Sequence, residues 1–597
     1  MFVKETKVKR GKRAYTYVQL VEGYRDENGK VRHRVVANLG RKEELKASGQ
    51  LEKLAGAFAR LDPPLAGTRR EVGALLLAWH FIKELDVAGV IDRALPRSER
   101  SELSVGEVVC ALIASRLCSP SPLYDIAGWA SGAAVRELLG IAPQLLNDDR
   151  LGRALESFAV YAESVRGMLA AAAIERFGTD TGRLHVDLST VRLAGAYEHS
   201  ALVAKGWSAE RTVARQVRTL QAATGDGVSL YLRPDPGNCS ELALVGQSLE
   251  RLAKFAKPGM LMVCDSALGQ PKPLCQIDRA GLRFIVPLKS STGFRERYLT
   301  DVGPGALRSI RHLAEREKKL PAAARTRYRG ALRDWDVKDP ETRERRCFKV
   351  AYIHSSEEAR EIAAARERAL SKAEDELTRV RNGLGGRYYK TEAQVQRRLG
   401  QIIGTNIHGL ITVTVGQDRA AKPTISWQRD DQAIAHAAQS DGIYALATNL
   451  PGTLSAGRIL RLYKQQEVVE RRHRDLKQTL KVRPIFLHND DRIYALISII
   501  GIALLIFGLL ETQLRQALDA DDQKDKRLAL LPEARLAKPT GANILAAFQG
   551  LDLTYTHRGI ELDPLTPTQQ RILDLLEIQL PWPQQGKLAR LNCGKRD

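Results

Sequence analysis

LHVDLSTVRLAG, residues 184–195, is where the chain stops reading as helix and begins to read as sheet. Branched and long apolar residues alternate with polar ones at a step of two until a glycine ends the run, the pattern of a strand leaving a core. TLQAAT (219–224) and VSLYLRPDPG (228–237) repeat it, so three strands follow one another. A helix near 240–256, the strand GMLMVCDSAL (259–268), a helix near 270–281 and the strand FIVPLK (284–289) come next. Three consecutive strands, then strands alternating with helices, predict an α/β fold on a mixed sheet. No GxGxxG follows a strand and no GxxxxGK[ST] occurs, so the chemistry is not that of a nucleotide cradle.

Toward the N-terminus, residues 70–178 carry helical periodicity in runs such as VGALLLAWHFIKEL (72–85) and VGEVVCALIASRL (105–117), broken by SPSP and NDD. An α-helical domain is expected there, and small helical domains often place a helix in a DNA groove. Ahead of it, YTYVQLVEGYRDENGKVRHRVVANLG (15–40) predicts a β-hairpin around DENG. Toward the C-terminus, residues 355–403 read as two charged helices hinged at NGLGG. With strand-like FKVAYIH (348–354), LITVTV (410–415) and TISWQ (424–428), they form an insertion into the α/β region. Trp335 and Trp427 lie within it; packing is the ordinary role of each, and stacking on an unpaired base is the functional alternative.

The core resumes with IYALATN (443–449), after which Ser455 is a plausible cap for a basic helix that includes RLYKQQEVVERRHRDLK (461–477). Beyond it, IYALISIIGIALLIFGLL (493–510) is long enough to raise the question of a membrane span. A central helix of a large domain can be apolar all round, so burial is the expectation and no membrane partner is assigned. The boundaries drawn are 1–60 for the β-rich segment, 61–178 for the helical DNA-binding domain, 179–290 and 441–511 for the two parts of the core, 291–440 for the insertion and 512–597 for a C-terminal helical segment.

At 597 residues the chain exceeds one ordinary core. Ninety-two Lys and Arg against 70 Asp and Glu leave a net charge of +22 spread along the whole length, which calls for a polyanion as partner. The seven cysteines include no CxxC pair, and no His/Cys cluster has zinc spacing, which points to a reducing compartment and away from a structural zinc. The basic N-terminus is not followed by an apolar signal segment, so a cytoplasmic location is expected.

Two acids end predicted core strands, Asp187 in LHVDLST and Asp265 in LMVCDSAL, and a third, Glu470, stands within the basic helix. Three converging carboxylates would repel one another unless cations lay between them. Hard oxygen ligands suit Mg²⁺, and a pair of ions can activate an attacking hydroxyl while stabilising the leaving oxygen of a phosphodiester. At helical spacing Tyr463, Gln466, Glu470, Arg474 and Lys477 share one face, so the cationic members could bind phosphates on either side of the metals and help hold Glu470 ionised.

These residues resemble the DDE transposases of bacterial insertion sequences, in the insertion-sequence-four group with its Tyr-x2-Arg-x3-Glu-x6-Lys signature and most closely its sixteen-thirty-four type. Tyr463, Glu470 and Lys477 stand at those spacings, with Asp187 in DLST and Asp265 in CDSAL as the first two acids. YVQLVEGYRD, RHRVVANLG and DGIYALATN also look like this type. Gln466 stands where the group has arginine, which removes a bidentate phosphate grip, and His473 stands where an aromatic residue is usual. Packing on the helix is the ordinary reading of His473.

The resemblance implies an RNase H-like catalytic core, a mixed sheet flanked by helices, carrying a large insertion with strands and a helical hairpin, and preceded by a β-hairpin and an α-helical domain. It implies catalytic and metal-binding roles for Asp187, Asp265 and Glu470, with two Mg²⁺ ions for which Mn²⁺ can substitute. DNA contacts are implied for Tyr463, Gln466, Arg474 and Lys477. The partners implied are double-stranded DNA, as terminal inverted repeats and as target, and a second copy of the chain when ends are paired. The activity implied is cut-and-paste transposition near the bacterial nucleoid. The rival is a catalytically inactive DNA-binding protein that retains the fold.

Overall fold

The computed structural model describes residues 2–10, 13–25, 31–42, 44, 67–95, 101–207, 212–240, 244, 259–314, 317–405, 407–419, 422–521, 525–557 and 559–584. It divides into two units, one of residues 1–69, 553–563 and 582–597, the other of 70–552 and 564–581. In the first, β1 (Phe2–Arg10), β2 (Arg13–Arg25) and β3 (Val31–Arg41) form an antiparallel sheet with β2 central. The expected hairpin is β2–β3, whose DENG turn falls outside the described residues. The addition is β1: FVKETKVKR, read from sequence only as a basic N-terminus, pairs with β2 from Phe2↔Val21 to Arg10↔Arg13.

In chain order β4 (Arg69–Glu71) precedes the helices α1 (Leu75–Glu84), α2 (Val87–Ala94), α3 (Val105–Cys118), α4 (Ile126–Gly132), α5 (Val135–Leu139) and α6 (Asp148–Phe177). Ser104 and Glu107 close a capping box on α3, and Asn147 caps α6. Sequence reading took this stretch as a domain of its own. In the structure it belongs to the same unit as the core, because α1, α3 and α6 pack on the long apolar helix described below.

The core strands are β5 (Arg183–Arg192), β6 (Ala204–Trp207), β7 (Val213–Thr224), β8 (Ser229–Pro236) and β9 (Leu261–Cys264), followed by α7 (Pro271–Arg279), β10 (Arg283–Pro287) and α8 (Phe294–Asp301). Neighbours run β8-β7-β5-β9-β10, antiparallel through β5 and parallel from β5 to β10. This is the mixed sheet expected. The helix anticipated near 240–256 falls almost wholly outside the described residues. β9 is shorter than its sequence suggested, because Asp265 turns the chain into a 3₁₀ turn over Ser266–Leu268.

β11 (Arg308–Ile310), β12 (Tyr328–Lys338) and β13 (Arg345–Ser355) do not stand apart from the core. With β16 (Ile443–Thr448) they prolong its sheet antiparallel, in the order β11-β12-β13-β16-β10. Between β13 and β16 lie α9 (Ser356–Asn382), α10 (Glu392–Ile402), β14 (Ile411–Gln417), β15 (Pro423–Arg429) and α11 (Asp431–Ala438). The helical hairpin and the β14–β15 ribbon share a small core of their own, with Leu370, Leu377, Val395, Ile411 and Ile425 inside. Trp335 and Trp427 are half-buried, each with an arginine over its ring, Arg297 at 4.8 Å and Arg381 at 4.9 Å.

α12 (Ala456–Lys464), capped by Ser455, lays Ala456, Ile459 and Leu460 across the sheet on Leu261, Ile285, Ala351 and Leu446. α13 (Glu467–Arg474) follows, then α14 (Asp490–Ala520). α14 explains the apolar run: one side meets β8 and the other meets α1, α3 and α6, so 94% of its most hydropathic stretch is enclosed by protein. The tail is not the helical segment expected. It holds two hairpins, β17–β18 (Leu528–Leu531, Arg535–Ala537) and β19–β20 (Asp552–Thr556, Gly559–Leu562), with α15 (Gly541–Ala546) and α16 (Pro567–Leu575). DLTYT alternates at a step of two, a strand signal too short to stand out in a polar region.

Candidate active site

β5 and β9 are parallel, with Val186 opposite Cys264. One residue further along, Asp187 and Asp265 therefore leave neighbouring strands side by side, where backbones are about 4.8 Å apart. Asp187 Oδ1 accepts from the Leu188 amide at 2.8 Å, and Asp265 Oδ1 accepts from the Ser266 amide at 2.5 Å, so each carboxylate has one oxygen held by its own backbone. Asp265 is exposed and Asp187 half-buried.

α13 packs on β5 and β7 and brings Glu470 to the same place. Its carboxyl is raised above the usual range, first by burial and then by the negative charge of Asp187. Tyr463, on α12, lies in the field of all three acids: burial, then Asp265, Glu470, Glu358 and Asp187, raise its hydroxyl, which stays protonated. Lys477 is lowered by burial and by Arg483, with Asp187 pulling the other way. His473 Nε2 comes within 3.3 Å of Asp187 Oδ2, out of line for a hydrogen bond.

The helix read as continuous from 461 to 477 is three pieces. Gln466 N donates to Tyr463 O and Val469 N to Gln466 O, three-residue bonds that tighten the chain between α12 and α13. After Arg474 the chain widens into a π-helical turn, Asp475–Thr479, closed by Leu480 N donating to Asp475 O. The single shared face is thereby corrected: the bends offset its members. Tyr463, Glu470 and Lys477 still meet the aspartates, whereas Arg474 is exposed to solvent and Gln466 is buried at the junction, 8% exposed.

Sequence reasoning missed the groups that hold α13 in place. Arg472 is fully buried; its Nε donates to Gly227 O at 2.5 Å, and its Nη1 donates to Asp475 Oδ2 at 2.9 Å and Glu511 Oε2 at 3.0 Å. Glu511, inside α14, also meets Arg515, Arg471 at 3.6 Å and the Gly541 amide at 3.0 Å. Burial pushes the Glu511 carboxyl up, and Arg472, Arg515 and Arg471 together hold it below its ordinary value. The available signal was Glu511 itself, an acid directly after an apolar run, which must find a cation if it is buried.

Among the described residues, no three His, Cys, Asp or Glu side chains form a ready-made metal cage. The donor set nevertheless suits a divalent cation: carboxylate oxygens from three elements, with Glu470 raised by burial and then by the charge of Asp187.

A mixed sheet with acids at the ends of adjacent strands and a third acid on the helix above them is the layout of a phosphodiester-processing core. The transposase DDE domain family matches residues 179–506, more than half of the chain, and the chain belongs to the DDE transposases. Its fold is accordingly RNase H-like, and it is a DNA-cleaving enzyme of a family that works with divalent metal ions. The N-terminal domain of IS1634 family transposases matches residues 3–63, which makes the protein an IS1634-type transposase. A domain of unknown function, DUF4277, matches residues 69–170. No curated protein matches the chain.

Proposed function

We propose that this transposase frees the ends of its own element and joins them to new DNA, with Asp187, Asp265 and Glu470 as the residues that hold Mg²⁺ or Mn²⁺. The observation that supports this reading most is the mutual proximity of the three acids, seen in the β5–β9 register and in the upward shift of Glu470 beside Asp187. Bound there, divalent cations would lower the pKa of an attacking water and neutralise charge on the scissile phosphate. Tyr463, protonated among the acids, can donate to a phosphate oxygen; Lys477 supplies positive charge beside Asp187; Arg474 reaches outward to the backbone. Gln466 is withdrawn from DNA in this conformation.

The first step adds water oxygen to phosphorus and breaks the P–O3′ bond, leaving a 3′-OH and a 5′-phosphate. In the second, that 3′-OH attacks a target phosphodiester in line and the target's own 3′-oxygen leaves. Two copies of the chain, one on each terminal inverted repeat, would pair the ends. No protein nucleophile is required.

A second reading, a DNA-binding protein that has lost cleavage, draws on Gln466 in the arginine position and on the lack of a preformed cage among the described residues. Cleavage of labelled duplexes carrying the element's ends, in Mg²⁺, separates the two. The wild type is expected to cut. Asp187→Ala, Asp265→Ala and Glu470→Ala are each expected to lose cleavage by at least about 10³-fold while keeping duplex affinity within a few-fold. Undiminished cutting by any of them refutes the assignment.

A further inference from the structure

We propose that the open sheet face formed by β11, β12 and β13 is a trough for the backbone of double-stranded DNA, bound without regard to sequence and separate from the three carboxylates. The proposal rests on the DNA-joining reading above and adds a surface to it. Register builds the face: Ser309 pairs with Arg329 and Arg329 with His354, so a row of three crosses the strands with its side chains on one side. The next step of the same face carries Arg327, with Arg311 and Arg325 beside it. These residues line one groove of about 790 Å³, room for a length of backbone rather than for a single anion, and among the described residues no carboxylate lines it.

Arg311, Arg327 and Arg329 are exposed, and among the described residues none of them forms an ion pair. Elsewhere in the same region arginines are paired: Arg366 with Asp441, Arg429 with Glu367 and Glu374, Arg346 with Asp278. An unneutralised arginine cluster repels itself and is relieved by a polyanion. His354, in the same row, is lowered by burial and then by Arg329, with Asp441 pulling the other way. Positive charge on an edge strand can serve only to block edge pairing. Here it spreads over the face of three strands, which blocking does not need.

Beyond Tyr328, on the face of the sheet that α12 covers, a separate cleft is lined by Arg461 and Lys464 together with the carboxylate of Glu467. Arginine forks grip phosphate oxygens, and contacts to phosphate position a duplex without reading its bases, which suits DNA that varies from one event to the next better than a defined repeat.

The test measures affinity of the full-length protein for an unrelated duplex across a salt series. The triple variant Arg311→Ala/Arg327→Ala/Arg329→Ala is compared with a control of equal charge loss on the helical hairpin, Arg368→Ala/Lys372→Ala/Arg397→Ala, and with Arg→Lys at the three trough positions. Thermal melting verifies folding. The trough variant is expected to lower the slope of log K against log salt by about 2 to 3, one unit or slightly less for each lost phosphate contact, with the control unchanged and the lysine version close to wild type. An unchanged slope, or an equal fall in the control, overturns the trough. A wild type that binds with the full slope yet never cuts its ends defeats the enzymatic reading instead and leaves the trough standing.

Discussion

Asp235, buried on β8, has Arg233 Nη2 2.9 Å from its Oδ1, yet its carboxyl is pushed up to about 6 because lost hydration outweighs that pairing. An acid raised in the folded chain keeps its proton there longer than in the unfolded one. The folded state therefore suffers no penalty below about pH 4, and an increasing one as pH climbs through about 6. Asp235→Asn is expected to gain stability relative to wild type between pH 4 and pH 7, by up to about 3 kcal/mol, seen as a melting-temperature difference that grows with pH. A constant difference would mean the group titrates alike in both states. At this scale the three proposed metal ligands could be picked out from sequence because two end strands and the third lies within a basic helix. Their company could not be: His473 against Asp187 and the inward turn of Gln466 depend on the two bends in the helix, which no spacing rule reveals.

α13 is eight residues long and too short to hold itself. Arg472 ties it to the β7–β8 turn and to α14, and Gly227, at φ +103°, takes a backbone conformation that leaves only 3.0 Å between Arg472 Nη2 and any added Cβ. Arg472→Leu removes one of the cations around buried Glu511 and the ion-pair partner of Asp475, and is expected to cost about 3 to 5 kcal/mol, read in denaturant titration, with faster hydrogen exchange along α13. Retained stability with normal exchange would show that the network does not hold the helix. α14 is placed by close approach. A Cβ at Gly508 would meet Gly227 O at 2.9 Å and Val228 Cα at 3.0 Å, both backbone, whereas at Gly501 it would meet the Leu232 side chain at 3.1 Å. Gly508→Ala is therefore expected to destabilise by about 1 to 3 kcal/mol and Gly501→Ala by less; equal melting points for the two would contradict this packing.

For the whole molecule, charge decides how DNA is met. With +22 spread along the chain, duplex binding is expected to be dominated by counterion release. If six or more phosphates are neutralised, affinity falls by about 10³-fold or more between about 50 and 200 mM salt, a fall that a fluorescence-anisotropy titration would detect. A shallow dependence would indicate that most of the basic residues are occupied within the protein, as Arg472 and Arg366 are.

Period and charge were local quantities, and they carried the class of fold. The alternation in LHVDLSTVRLAG and its successors, the helical runs before it and the hinge in the charged hairpin were all readable, and with the three acids they were enough to reach the family. Only the folded chain could decide that 308–355 widens the core sheet, that β1 joins the N-terminal hairpin and that the helices before the core clasp α14. Pairing between strands and packing between helices are settled by partners far away in the chain, and the surface left open by those choices, with its row of arginines, exists only once they are made.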